Sequence, residues 1–271
     1  MKKVSLFILL LIGSVAFVHA QNTALELKVN AGDAEAMYEL AYRYANGEEG
    51  YSKDSIKAYT LMKSAAEQGY LFAMYDLGFD FVPSSIENSM SISTKWLETY
   101  VEKSKDDMMC SAAELELFYR YQGGCGVEKN ISKALSFLKS SVNRGPRSDP
   151  AAYNEIGECY YEGKFFAKNE EEAIRYFKLS ADNGCGLGMA NLGVLYYKKR
   201  DFTQAYKYLK EACENEFQLW PSPKAMLFLS HCYRYELGGA PKSDEKAKFW
   251  LEQSSAHKER TAMELVRMNR K

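Results

Sequence analysis

Histidine, proline and cysteine are all scarce in this chain, and each shortage closes off a class of function. The 271 residues include 3 His, 6 Pro and 6 Cys. No C-x-x-C or H-E-x-x-H occurs, so a zinc site or a metalloprotease centre has no motif to build on. Six prolines and 18 glycines, with no Pro/Ser/Gly-rich tract, leave no linker at which to divide the chain. Charge of one sign is lacking too. The 35 Lys+Arg nearly balance 36 Asp+Glu, so no overall field recruits nucleic acid or an anionic membrane. What is plentiful is the material of a core: 46% hydrophobic against 26% charged residues excludes a disordered chain, a collagen-like chain and a disulfide miniprotein.

One long apolar run exists, at the N-terminus. Lys2 and Lys3 precede Val4 to Val18, and Val18-His19-Ala20 supplies a cleavage site, which together read as a secretory signal peptide over 1–20 cut after Ala20. The run is short for a membrane span, and no cysteine follows it to carry a lipid. The expected product begins at Gln21, carries 33 basic against 36 acidic residues, has no integral membrane span, and is exported, periplasmic or secreted.

Internal repetition sets the fold class. Six segments share the form small-x-x-x-aliphatic-x-x-x-aromatic: Ala36/Leu40/Tyr44, Ala73/Leu77/Phe81, Ala113/Leu117/Tyr121, Ala152/Ile156/Tyr160, Gly188/Leu192/Tyr196 and Ala225/Leu229/Tyr233. The central aliphatic recurs every 36 to 40 residues, a period that means a solenoid. Positions four apart share a helix face, so the small residue permits close approach while the aliphatic and the aromatic fill the interface.

A second helix follows in every unit. Asp54, Ser89, Asn130, Asn169, Asp201 and Ser243 are each predicted to cap it, standing four residues before Ala58, Ser93, Ala134, Ala173, Ala205 and Ala247. The apolar pairs Leu61/Met62, Trp96/Leu97, Phe137/Leu138, Tyr176/Phe177, Tyr208/Leu209 and Trp250/Leu251 form its buried stripe. The prediction is an all-α chain of about twelve paired helices with a half-repeat in front and a short helix behind.

These motifs resemble the Sel1-like repeat family, within the tetratricopeptide-like superfamily. Repeat three carries the pattern best: Leu117, Tyr121, Gly124-Cys-Gly126-Val127, Asn130, Lys133-Ala134, Phe137-Leu138 and the closing Gly145. The resemblance implies a right-handed α-α superhelix, a solenoid of about six helix pairs with capping helices, over 21–271. Its parts are a half-repeat cap at 22–32, repeats at about 33–70, 71–110, 111–149, 150–185, 186–222 and 223–257, and a C-terminal cap helix at 258–271. Repeat two departs from the pattern, with Val82-Pro83-Ser84-Ser85 in place of the loop glycines, and repeat five has only Lys198-Lys199-Arg200 before Asp201. Glu216 and Lys258 replace the closing glycine in repeats five and six, and Trp220-Pro221-Ser222-Pro223 makes a distinct joint before the last repeat.

Candidate chemistry is thin. His231 and Cys232 are adjacent on one helix and diverge by about 100°, so they form no nucleophile–base pair. Some cysteine-rich secreted members of the resembled family are associated with penicillin binding and β-lactamase activity, which makes a cell-wall-directed hydrolase the alternative function. Their hallmark cysteine pair within each repeat is missing here. The S-x-x-K matches at Ser136/Lys139, Ser243/Lys246 and Ser255/Lys258 lack the accompanying S-D-N and K-T-G. No catalytic, metal or cofactor-binding residue is assigned. The six cysteines allow 15 pairings, but Cys159, Cys213 and Cys232 occupy helix positions that suit small buried residues.

A binding surface remains. In tetratricopeptide stacks the concave side is reached two residues before and after the central aliphatic. Those rows open with Tyr38, Tyr75, Leu115 and with Tyr42, Phe79, Tyr119. Tyrosine offers large contact area at low entropic cost, so Tyr38, Tyr42, Tyr75, Phe79 and Tyr119 are the candidate protein-binding residues of a scaffold that holds a protein or peptide segment. In the competing reading the same rings merely fill the inner radius between first helices. Ring exposure separates the two.

Overall fold

The computed structural model describes residues 21–105, 107–145, 148–214 and 222–257, and all regular structure among them is helical. The expected signal peptide and C-terminal cap, Glu216 and most of the Trp220 joint lie outside the described residues. The chain divides into two compact units between Ser141 and Val142, near the end of the helix Ile131–Val142. The first holds α1 (21–30), α2 (Ala34–Asn46), α3 (Ser55–Glu67), α4 (Leu71–Phe79), α5 (Ser89–Lys103), α6 (Asp107–Gly123) and α7 (Ile131–Val142). The second holds α8 (Pro150–Glu162), α9 (Glu170–Asp182), α10 (Gly186–Lys198), α11 (Phe202–Glu214), α12 (Pro223–Tyr235) and α13 (Asp244–Ala256). Both are built from the same helix pair, as the repeat pattern predicts.

Each pair is assembled in the same way. The central aliphatics Leu40, Leu77, Leu117, Ile156, Leu192 and Leu229 are all buried, together with the small residues of both helices. The residue after the aliphatic is often glycine, and packing requires it. A Cβ on Gly78 would lie 2.5 Å from Leu97 Cδ2, one on Gly157 2.6 Å from Phe177 Cδ1, and one on Gly193 2.6 Å from Leu209 Cγ. The second member of each apolar pair therefore seats directly over a first-helix backbone, a contact that no larger residue at the glycine position permits without movement.

The connection is equally regular. The Asp54 carboxylate accepts from the amides of Ile56 and Lys57, Asn169 Oδ1 from those of Glu171 and Glu172, Asn130 Oδ1 from that of Lys133, Asp201 from that of Gln204 and Ser243 Oγ from that of Lys246. Each of these five caps also donates its own amide to the carbonyl of the repeat's tyrosine: Tyr44, Tyr160, Tyr121, Tyr196 and Tyr233 respectively. One residue thus ends the loop and starts the helix.

Repeat two departs, and its predicted cap needs correction. Ser89 is the first residue of α5, and Asn88 precedes it with φ 57° and no side-chain capping bond. The cause lies upstream. Without loop glycines α4 ends at Phe79 and its cap Asp80 has φ −125° in place of a left-handed value, so the chain turns instead through Pro83 to Ile86. It enters α5 through Asn88, a residue type that tolerates the left-handed region.

In front, α1 lays Leu25 and Val29 against Ala36, Leu40 and Leu61, covering the apolar face of the first pair.

Candidate interaction faces on the first helices

Four of the five predicted residues stand in two ring clusters of the first unit. Tyr38 and Tyr42 lie one turn apart on α2 with centroids 5.1 Å apart, and Tyr38 also meets Tyr70 at 5.1 Å and Phe72 at 6.4 Å. Tyr42 meets Phe81 at 5.4 Å. On α4, Tyr75 lies 4.6 Å from Phe79 and 5.2 Å from Tyr100. Tyr119, on α6, packs against its neighbour Phe118 and is 42% exposed. Tyr38, Tyr42, Tyr75 and Phe79 are half-buried. Each ring is used in packing and keeps part of its area accessible.

Polar groups fix these rings. The Tyr42 hydroxyl donates to Asp76 Oδ2 at 2.7 Å. Burial, and then the hydrogen bond to Asp76, push the Tyr42 phenol up to about 12. The same two causes raise Tyr38 further, with Tyr42 contributing. Both rings are neutral phenols throughout the physiological range.

Asp76 was absent from the sequence-derived set, as were Tyr70, Phe72 and Phe81. A signal for Asp76 existed in the residue before the central aliphatic, which is acidic in the first four repeats: Glu39, Asp76, Glu116 and Glu155. Two of the others bind the arginine four residues on, Glu39 to Arg43 and Glu116 to Arg120.

The corresponding rows of the second unit are different chemistry. Ala190, Val194 and Leu227 are buried, and Asn154 is buried in a polar triad. Asn191 Nδ2 donates to Asn154 Oδ1 and to Glu158 Oε1, each at 2.9 Å, and Asn154 Nδ2 donates to the same Glu158 oxygen at 2.9 Å. Beside it a cavity of ≈ 160 Å³ is lined by Glu158, Tyr161, Asn191, Val194, Lys198 and Lys224, with Lys198 Nζ donating to the Tyr161 hydroxyl at 2.6 Å. His231 sits among Phe228, Tyr235 and Tyr197, its Nδ1 3.3 Å from the Tyr197 hydroxyl. Burial, then Arg234, lower its pKa, so the ring is neutral at pH 7.

The groups weighed as nucleophiles are occupied or inert. Cys232 is fully buried and pushed up to about 12 by burial, as are Cys159 and Cys213. A buried thiol so far above neutrality is no thiolate. Ser136 Oγ donates to the Lys133 carbonyl at 2.7 Å, and Ser243 is a helix cap. The third match ends at Lys258, outside the described residues. Among the described residues no group of three or more His, Cys, Asp or Glu is arranged to hold a metal ion, and no helix is long and apolar enough to cross a membrane.

Comparison with known proteins gives a consistent picture. The family model described as Sel1 repeat matches residues 34–70, 111–146, 150–185, 186–217 and 223–258, more than half of the chain. Of the six repeats, the one left unmatched, 71–110, is the repeat whose loop and cap depart. An F-box protein of Arabidopsis thaliana is 30% identical over 102 residues, which are 36% of this chain and 26% of that protein. Among solved structures, a protective antigen of uropathogenic Escherichia coli strains displaying an SLR fold has a TM-score of 0.71 at 22% identity, over 89% of this chain and 49% of that one. A Sel1 repeat protein from Oxalobacter formigenes has a TM-score of 0.67 at 24% identity, over 90% of this chain and 100% of that one. The chain therefore spans about a quarter of the curated relative and about half of the first structure.

Proposed function

The chain belongs to the Sel1 repeat family, and from that premise we propose that it is an exported scaffold holding a protein or peptide segment against the first-helix faces of its first three repeats, the concave side in a helix-pair solenoid. Sel1 repeat proteins are generally non-enzymatic interaction scaffolds. The observation that carries the assignment to this face is a division of labour. Leu40, Leu77 and Leu117 are buried, while the rings two residues either side of them, Tyr38, Tyr42, Tyr75, Phe79 and Tyr119, keep accessible area. A ring saturated by core contacts has nothing left to offer a partner, and these are not saturated. Export rests on the charged and apolar pattern of residues 1–20.

Site-specific photocrosslinking tests the face. A benzophenone side chain at Phe79 is expected to capture one discrete partner in living cells, and the same group at exposed Phe249 on α13 is not. Equal capture from both positions, or from neither, rejects the assignment. Fractionation with N-terminal sequencing tests export, the expected mature end being Gln21.

A further inference from the structure

We propose that the cleft beside Tyr38 receives a cationic side chain, arginine or lysine, of the bound segment, so that the partner presents a basic peptide to the first repeat. This rests on the scaffold reading above and names the chemistry of its occupant. The cleft has a volume of ≈ 390 Å³, with room for a guanidinium group and its alkyl stem. Its lining residues are of two kinds. The tyrosines Tyr38, Tyr42 and Tyr70 and the acidic residues Glu35, Glu39, Glu48 and Glu49 line it together.

Among the described residues that line the cleft, Arg43 is the one cation, and it is already committed. It is bound by Glu39 at 2.5 Å, by Glu49 Oε2 at 2.7 Å and by Asn22 Oδ1 at 2.7 Å, with its side chain 13% exposed. Its single charge offsets only one of the two carboxylates it touches. Glu35 and Glu48 have no ion pair among the described residues, and both are exposed. The surroundings keep the imbalance, since residues 21–80 hold ten Asp and Glu against five Lys and Arg.

Charge complementarity then selects the occupant. A phosphate or nucleic-acid ligand would meet uncompensated carboxylates, and an apolar segment would strip water from them without return. A small hard dication needs several oxygens converging on one point, and no such group is arranged among the described residues. An organic cation uses both kinds of lining residue, its charge compensating Glu35 and Glu48 and its flat or alkyl surface lying on neutral tyrosine rings.

The test is fluorescence anisotropy with the purified chain and three labelled Gly/Ser nonapeptides that carry, at their centre, three arginines, three citrullines or three glutamates. Citrulline keeps the shape of arginine and removes its charge. The arginine peptide is expected to bind at least about tenfold more tightly than the citrulline peptide, with the glutamate peptide weakest. Raising salt from about 0.05 M to 0.5 M is expected to erase most of the difference. The double substitution Glu35→Gln/Glu48→Gln lies on exposed side chains, preserves shape and should reduce arginine-peptide binding by about tenfold while leaving the unfolding midpoint in place.

Equal binding of the arginine and citrulline peptides, or no binding of the arginine peptide at about 1 mM, overturns the inference. Photocrosslinking at Phe79 remains the separate judge of the scaffold reading. A discrete crosslink with no preference for arginine removes the cationic occupant and leaves the face, whereas loss of both removes the face itself.

Discussion

Arg120 Nη2, on a side chain buried in α6, donates at 2.8 Å to the main-chain carbonyl of Gly78 near the end of α4. That carbonyl is one of the four that a helix leaves without an internal partner. In repeats one, three and four a left-handed glycine follows the first helix and its turn takes up such groups. Repeat two has no glycine there, and the Gly78 carbonyl accepts from Ser93 Oγ of its own repeat at 3.1 Å as well as from Arg120 of the next. The same guanidinium reaches Ser93 Oγ at 2.6 Å, Thr94 Oγ1 at 3.1 Å and Glu116 Oε1 at 2.7 Å. Arg120 thus ties α4, α5 and α6 together through one buried planar group.

Removing that group should be costly. Arg120→Met keeps most of the apolar stem but leaves the hydroxyls and the carbonyl with fewer partners, an expected loss of about 2–4 kcal/mol in urea unfolding. Arg120→Lys should recover little, because an ammonium cannot reproduce a planar fork of donors. Wild-type stability in Arg120→Lys would show that charge alone suffices and that the fork geometry is irrelevant.

Glycine substitutions should separate packing from backbone conformation. Gly157→Ala puts a methyl 2.6 Å from the Phe177 ring inside a helix of ordinary backbone angles, so its cost, about 1–3 kcal/mol, is steric. Gly184→Ala meets no atom within 4 Å but sits at φ 86°, so its cost, about 1 kcal/mol, is conformational. Phe177→Leu in the Gly157→Ala background should relieve the first, and no neighbouring substitution should relieve the second. Leu117→Ala, at the fully buried centre of repeat three, should cost about 2–5 kcal/mol.

These residues also show where the sequence is informative. Leu117 and five of the six caps were legible because the same chemistry recurs at the same offset, and periodicity identifies a buried face without knowledge of what covers it. The Ser89 cap was placed one residue late because repeat two reaches α5 through a proline turn. The role of Arg120 was illegible for a different reason, and so was the partner of Asp76, although its acidic position recurs. A charged residue in one sequence reads as surface, and only the neighbouring repeat reveals that Arg120 is a buried cap and that Asp76 holds Tyr42. The aromatic rows were legible as rows; the carboxylates beside Tyr38 were not, since Glu48 and Glu49 come from the connecting loop, outside the recurring helix positions.

Acid should weaken one contact selectively. Glu98 is partly buried, which raises its pKa, but Lys133 Nζ at 2.6 Å and the Tyr121 hydroxyl at 2.6 Å outweigh burial and the net shift is downward. A depressed folded pKa means stability that is present above the ordinary carboxylate value of 4.5 and lost as pH falls through the folded pKa. The stability difference between wild type and Glu98→Gln should therefore be flat near neutrality and shrink below pH 4.5. A difference that grows on acidification would reverse the assigned sign.

Thiol accessibility predicts a graded reaction. Cys125 is exposed, Cys185 is half-buried, and Cys110, Cys159, Cys213 and Cys232 are buried. A chromogenic disulfide reagent at pH 8 should titrate Cys125 first, Cys185 more slowly, and the other four only after unfolding. Rapid modification of Cys232 in the native state would contradict its burial and reopen a nucleophilic role. Nitrocefin turnover, expected to be absent, provides the matching functional readout.

Phe79 and Tyr119 provide the most direct functional test, because their energetic roles on the two readings of the aromatic rows point in opposite directions. If the rings fill the core, truncation to alanine removes buried area and opens a cavity, and the penalty of about 3–5 kcal/mol appears in unfolding with binding following passively. If they form a recognition face, much of each ring's contact area is realised only with the partner. Truncation should then weaken capture of the crosslinked partner by about 1–3 kcal/mol while the unfolding midpoint moves little, most clearly at Tyr119, the more exposed ring. Tyr42→Phe adds an internal control, deleting only the hydroxyl bonded to Asp76 and keeping the ring face. Its binding should stay near wild type if the ring surface is what the partner touches. Destabilised alanine variants with unaltered partner affinity per folded molecule would assign the rings to the core.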